Sequence, residues 1–91
     1  MNTQETNEFV WQELTKIYQD LFSDQNLVIT PDMKASDLEG WDSFRHVEIL
    51  IEVQMKFNIS MTSREIDNLH SVGDLFTTVA RKVNPSLLSH E

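Results

Sequence analysis

The apolar residues of this chain recur at helical spacing in three separate segments. Between residues 8 and 22 they follow steps of four, three and four, at Val10, Leu14, Ile17 and Leu21. Such steps place side chains on one face of an α-helix. Similar runs follow Ser43 and Ser71. The chain has only two glycines and two prolines, which disfavours a fold of many tight turns. We therefore predict an all-α fold.

The same patterns give approximate helix boundaries within a single domain spanning 1–91. We predict helices near 7–22, 43–57, 62–69 and 71–84, a core over about 8–84, and a loose tail over 85–91. Thr62 and Glu65 have the spacing of a capping box, and Ser71 and Asp74 repeat it. Asn84-Pro85 is expected to end the last helix. The connection over 24–42 is long for a compact domain, and its apolar residues are expected to anchor it: Leu27, Val28, Ile29 and Leu38.

Charge and composition narrow the class of partner. Fifteen acidic residues against seven basic ones give a net charge of −8, which repels nucleic acid and anionic lipid but attracts proteins with basic patches. The absence of cysteine excludes disulfides and thiolate metal sites. The N-terminal MNTQETNEF resembles no signal peptide, and no apolar run is long enough to span a bilayer. We expect a cytoplasmic monomer.

Catalytic and metal-binding patterns are weak. His46 lies three residues after Ser43, but no G-x-S-x-G elbow surrounds the serine. The other histidines, His70 and His90, are far from His46 and from each other in the sequence. The acidic segment before Ser43 does not match an EF-hand calcium loop, because Asp37 occupies the position at which that loop requires glycine. We predict no metal site and no enzymatic activity, and we interpret His46 as a hydrogen-bonded structural residue.

Ser43 itself has two interpretations. A serine or aspartate before an apolar helical run is an ordinary N-cap. Asp42 is the better cap of the two, which leaves the Ser43 hydroxyl exposed in the first turn. A phosphate ester at that position would face free backbone N–H groups and the positive end of the helix dipole.

Several segments together resemble the acyl carrier protein family. Asp42-Ser43-Phe44 is similar to the Asp-Ser-Leu signature of that family, "VEILIEVQMKFNISM" (47–61) to its second helix, and "SVGDLFTTV" (71–79) to the start of its last helix. The resemblance covers about residues 8–84. It implies a small right-handed four-helix bundle with a long first loop. It also implies a carrier whose Ser43 holds 4′-phosphopantetheine, derived from coenzyme A by a phosphopantetheinyl transferase.

Further site residues follow from this resemblance. Asp42 and Trp41 belong to the attachment site, with Trp41 expected to anchor the end of the long loop and so fix where Ser43 is presented. A carried acyl chain would enter the core between helices, whose walls we expect to be Val47, Leu50, Val53, Phe57, Ile66, Leu69 and Val79. Partner enzymes would dock on the face of the second helix that carries Phe44, Arg45, Glu48, Ile51, Glu52 and Met55.

The second helix departs from the pattern of familiar fatty-acid carriers. Those proteins have an acidic residue two positions after the serine and consecutive glutamates near the helix end, whereas this chain has Arg45, Gln54 and Met55. We therefore expect a specialised pathway, in polyketide, lipid or aminoacyl transfer, with its own ligase or acyltransferase and downstream enzymes. An unmodified helical adaptor, binding partners through the second helix, is the alternative.

Overall fold

The computed structural model describes residues 3–83, and this part of the chain contains four α-helices and no β-strand. They are α1 (Thr3–Leu21), α2 (Ser43–Phe57), α3 (Ser63–Asp67) and α4 (Val72–Val83), with a 3₁₀ turn at Ala35–Asp37 in the long loop. The prediction of an all-α fold is confirmed. The expected helix stop at Asn84-Pro85 and the tail over 85–91 lie outside the described residues.

Helix α1 is the central element, because it packs against both α2 and α4. Its predicted apolar face is buried at Val10, Leu14 and Ile17, and Tyr18 is buried as well. The helix begins four residues earlier than predicted. Thr6 is fully buried, so the first turn packs against the domain although the apolar pattern starts later.

Helix α2 faces the core differently from the prediction. Leu50 and Val53 are buried as expected, but Val47 is 53% exposed and is not a core residue. Ile49 is fully buried instead. The helix is therefore rotated about its axis toward Ile49, which turns Val47 out to the surface. The apolar pattern of α2 does not determine this rotation, because the helix has more apolar residues than one core face needs.

The long loop is attached to the N-terminus of α4. The backbone N–H of Val72 donates to the carbonyl of Met33 at 2.9 Å, and that of Gly73 donates to the carbonyl of Pro31 at 2.8 Å. A Cβ atom on Gly73 would lie 2.8 Å from the same Pro31 oxygen, so this close approach requires glycine. The Val72-Gly73-Asp74 sequence therefore marks the place on α4 to which the long loop is hydrogen-bonded.

The apolar anchors of the loop are only partly as predicted. Ile29 is buried, and Leu27 and Leu38 pack against the core as half-buried residues. Val28 is 72% exposed, so its prediction as an anchor is wrong. Of these two neighbours, the loop therefore uses Ile29 as its anchor and leaves Val28 in solvent.

The capping prediction for α3 is confirmed. The Thr62 hydroxyl accepts from the Glu65 N–H at 3.1 Å, and the Glu65 carboxylate accepts from the Thr62 N–H at 2.8 Å. Glu65 also pairs with Lys82 of α4 at 3.1 Å. Its bond from the Thr62 backbone and its pairing with Lys82 lower the pKa of Glu65. These contacts hold the single turn of α3 against α4.

A buried carboxylate joins α1 to α2. Glu13, whose side chain is 10% exposed, accepts from Lys56 of α2 at 3.0 Å and from Lys16 at 3.3 Å. Lys56 is four residues after Glu52 on the same helix, but it reaches across to α1 instead. The hydrogen bond from Lys56, with the further bond and charge of Lys16, lowers the pKa of Glu13 although burial opposes the shift.

We expect Glu13→Gln to destabilise the protein at neutral pH by about 1 kcal/mol, since both lysines are largely solvated and their charges are screened. The folded-state pKa of Glu13 lies below its ordinary value of 4.5. Its contribution is therefore present above that pH and is lost as the pH falls through the folded-state pKa. Urea unfolding of both proteins at pH 7 and pH 3 measures this, and an equal difference at both pH values would contradict it.

Candidate functional site

Ser43 is the first residue of α2 and is exposed. Asp42 caps the helix: it has an extended backbone, and its carboxylate accepts from the N–H of Arg45 at 2.9 Å. The prediction that Asp42 is the cap is confirmed. The Ser43 hydroxyl is therefore not needed for capping, and it lies beside the N–H groups of the first turn, which have no acceptor within the helix.

An aromatic cluster fixes the chain just before Ser43. The Trp41 ring contacts Tyr18 edge to face at 5.3 Å and Phe22 at 6.5 Å between ring centroids. Its indole N–H donates to Nδ1 of His46 at 3.2 Å, and the two rings are stacked. The structural interpretation of His46 is confirmed. Gly40, at φ +90°, provides the turn that brings Trp41 into this cluster.

A cavity of about 470 Å³ opens next to Ser43. It lies where α1, the long loop, the start of α2, the α3–α4 connection and α4 meet. Its aromatic and apolar lining is formed by Tyr18, Trp41, His46, Leu69 and Leu75. Its polar lining is formed by Lys34, Ser36, Asp42, Ser43, His70 and Ser71. The exposed serine thus borders a space of mixed polarity.

The residues expected to surround an acyl chain are not gathered around this cavity. Of those seven, Leu69 alone belongs to its lining. Leu50, Val53 and Val79 are buried in the core, and Phe57 and Ile66 pack against it as half-buried residues. Val47 lies on the surface, as described above, so it is not a wall of any internal pocket.

One side of α2 presents an apolar strip, which we define as Phe44, Val47, Ile51 and Met55. Phe44 and Met55 are 70% and 71% exposed, and Ile51 is 49% exposed. Because α2 begins at Ser43, the strip starts beside the exposed hydroxyl and runs the length of the helix.

The charges beside the strip partly cancel. Arg45 bonds Glu48 through its guanidinium group, which also lies over the ring of Phe22 at 5.6 Å. Glu52 is exposed and has no ion pair among residues 3–83. The face predicted for partners therefore carries one paired carboxylate, that of Glu48, and one without an ion pair, that of Glu52.

The position of Tyr18 and the contacts of Gln54 were not predicted from the sequence. Tyr18 is fully buried in α1 and is one of the residues that line the cavity. Gln54 ties the end of α2 to the next segment: its amide donates to the Leu50 carbonyl and its oxygen accepts from the Met61 N–H. The only sequence signal for the burial of Tyr18 was the presence of aromatic residues near the end of α1.

Metal and membrane features can be assessed over residues 3–83. No three histidine or acidic side chains there come close enough together to hold a metal ion. None of the helices in the same range has the length and apolar character needed to cross a membrane.

The chain was compared with known proteins by family model, by curated sequence and by solved structure. No family model and no curated protein matches it. The solution NMR structure of holo acyl carrier protein from Geobacter metallireducens matches with a TM-score of 0.78 and 29% sequence identity. The match covers 90% of this chain and 94% of that one. With four helices and a long first loop, residues 3–83 have the fold of an acyl carrier protein, and this likeness supports the expected carrier role rather than that of an enzyme.

Proposed function

We propose that this protein carries an acyl or aminoacyl group as a thioester on a 4′-phosphopantetheine arm attached to Ser43. The observation that carries the proposal is the position of this hydroxyl: exposed, at the first residue of α2, with capping left to Asp42. A phosphodiester on Ser43 would lie at the positive end of the helix, where anions are stabilised. The arm, when attached, supplies the thiol that holds the cargo.

The surrounding residues fit such an arm. Trp41, held by its bond to His46, fixes the loop end that precedes Ser43, so that a transferase would meet the serine in one orientation. The apolar strip adjoins Ser43 and offers exposed contact area to partner proteins. A tethered cargo meets each docked partner at an effective concentration that can reach the millimolar range.

We further propose a dedicated pathway, in polyketide, lipid or aminoacyl transfer, with its own ligase or acyltransferase. Arg45 pairs with Glu48 and so removes one free acidic group from the partner face. Gln54 uses both a donor and an acceptor in its contacts with Leu50 and Met61. A glutamate at position 54 could not donate to the Leu50 carbonyl. The glutamine therefore makes a contact that the acidic residue could not make, and the helix has one acidic residue fewer.

The proposal is tested by incubating the protein with a broad-specificity phosphopantetheinyl transferase and coenzyme A and measuring intact mass. We expect wild type and Ser36→Ala to gain one phosphopantetheinyl group and Ser43→Ala to gain none. Ser36 is the matched control because it is exposed and lines the same cavity. An unmodified wild type would favour the adaptor, which would bind partners through the apolar strip without an arm.

Partner choice gives a second prediction, for Arg45→Asp. The change removes a positive charge, adds a negative one and releases Glu48, so the face becomes more attractive to enzymes with uniformly basic patches. We expect a housekeeping fatty-acid acyltransferase to use the loaded variant about tenfold faster than loaded wild type at low salt, and the gain to shrink as salt rises. Initial rates of acyl transfer measure this.

Arg81→Asp is the charge-matched control, because Arg81 is exposed on α4 and lies away from the strip. We expect it to have little effect on the rate. Equal use of wild type and Arg45→Asp at low salt would show that Arg45 does not influence partner choice.

A further inference from the structure

His46 accepts a hydrogen bond from Trp41, and this role fixes the protonation state of its ring. The indole N–H of a tryptophan can only donate, and here it donates to Nδ1 of His46 at 3.2 Å. A ring nitrogen accepts only while it carries no proton, whereas both nitrogens of a protonated histidine donate. The contact therefore requires the neutral ring with its proton on Nε2. Protonation of Nδ1 would bring two N–H groups face to face and break the bond.

This bond joins the two sides of the segment that contains Ser43. Trp41 ends the long loop just before the serine, and His46 follows it in the first turns of α2. The Trp41 ring also packs against Tyr18 and Phe22. Loss of the bond would leave these ring contacts in place, so the loop end would loosen without detaching from the domain.

Other titratable groups face His46 from the elements packed around it. Those that line the same cavity are Tyr18 of α1, Lys34 of the long loop, Asp42 before α2 and His70 of the α3–α4 connection. Lys34 can only donate, and the Asp42 carboxylate accepts from the Arg45 N–H. On α2 itself, Arg45 pairs with Glu48. Burial raises the pKa of Tyr18, so this side chain stays neutral in mildly acidic solution. His70 is a second histidine, so a pH effect on the site needs a variant of each ring.

We propose that His46 is a positioning residue for the loading of Ser43, and that only its neutral form holds Trp41 where a phosphopantetheinyl transferase requires it. This inference rests on the proposed attachment at Ser43. Histidine side chains exchange a proton between about pH 5 and 8. The loop end is therefore fixed in neutral solution and loosened in mildly acidic solution.

His46 takes no part in the transfer itself. The Ser43 oxygen bonds to the pantetheine-bearing phosphorus of coenzyme A, and the phosphoanhydride bond breaks with adenosine bisphosphate as the leaving group. The serine proton passes to a base supplied by the transferase. His46 acts on this reaction only through Trp41, by keeping the serine in one orientation.

The test compares initial loading rates of wild type and His46→Asn over a series of pH values, with one transferase and coenzyme A. The Oδ1 atom of asparagine can accept from the indole in place of Nδ1, but it does not titrate. The ratio of the two rates removes the pH dependence of the transferase. We expect the rate of wild type relative to the variant to fall about threefold from about pH 8 to about pH 5. A ratio that stays constant would overturn the proposal.

Two further variants are matched controls. Trp41→Phe keeps an aromatic ring but has no N–H to donate, so its rate relative to His46→Asn should not change with pH. His70→Asn removes the other histidine of the cavity, whose backbone N–H rather than its ring donates to Asp74. It should keep the full pH dependence of wild type. Loss of that dependence in His70→Asn would assign the effect to His70 and overturn the proposal.

A second measurement uses unloaded wild type alone, so it depends on neither a variant nor a transferase. In NMR spectra of the isotope-labelled protein, we expect the indole N–H signal of Trp41 to shift with the same pH midpoint as the ring signals of His46. The indole of Trp11 is the internal reference, because it packs against Phe76 and does not line the cavity. Separate midpoints for Trp41 and His46 would overturn the positioning role while leaving attachment at Ser43 intact. No loading of any variant at any pH would overturn both.

Discussion

Gly73→Ala is expected to destabilise the protein by about 2 kcal/mol, although alanine is the better helix former by about 1 kcal/mol. The added Cβ would meet the Pro31 carbonyl oxygen at 2.8 Å, and the loop would have to move away. That movement weakens the bonds from Val72 and Gly73, each worth about 1 kcal/mol. Thermal unfolding should show a decrease in melting temperature of roughly 10 °C.

Thr77→Ala is the matched control for this substitution. Thr77 is exposed on the same helix, so alanine there improves helix propensity without approaching the loop. We expect its melting temperature to be unchanged or slightly raised. If Gly73→Ala is equally stable, the loop is not held tightly against α4.

Trp41→Ala is expected to destabilise the protein by about 3 kcal/mol and to slow loading of Ser43. The change removes the ring contacts to Tyr18 and Phe22 and the bond to His46. The end of the loop then loses its anchor two residues before Ser43. Melting temperature and initial loading rate, both measured below the unfolding transition, test the two effects.

Trp11→Ala separates presentation of Ser43 from general stability. Trp11 is also a half-buried tryptophan with an edge-to-face partner, Phe76 at 5.5 Å, but it does not line the cavity. We expect it to reduce stability and leave the loading rate of the folded protein near that of wild type. If both variants slow loading equally, Trp41 contributes to the core and has no separate role in presentation.

The sequence was sufficient for features that depend on local chemistry. The three longer helices follow from apolar spacing, the short α3 follows from its capping box, and the caps at Asp42 and Thr62 follow from side chains that satisfy nearby N–H groups. The Ser71–Asp74 spacing also indicated where α4 begins. The Asp74 N–H donates to the Ser71 hydroxyl, as in a capping box, but the Asp74 carboxylate accepts from the His70 N–H.

Features that depend on how helices face each other could not be predicted. The rotation of α2 that buries Ile49 and exposes Val47 is decided by packing against α1, and the sequence of α2 alone allows either. Lys56 could pair within its own helix or across to Glu13, and the buried carboxylate gains more from the second arrangement. The cavity combines residues from α1, the long loop, α2, the α3–α4 connection and α4, so it has no local signature.

Attachment of the arm to Ser43 is tested most directly by peptide mass spectrometry of the loaded wild-type protein. Trypsin cleaves after Lys34 and Arg45, so one peptide over 35–45 contains both Ser36 and Ser43. Fragment ions of this peptide should place the whole phosphopantetheinyl mass on Ser43. An unmodified peptide, or the added mass on Ser36 or in another peptide, would contradict the proposal.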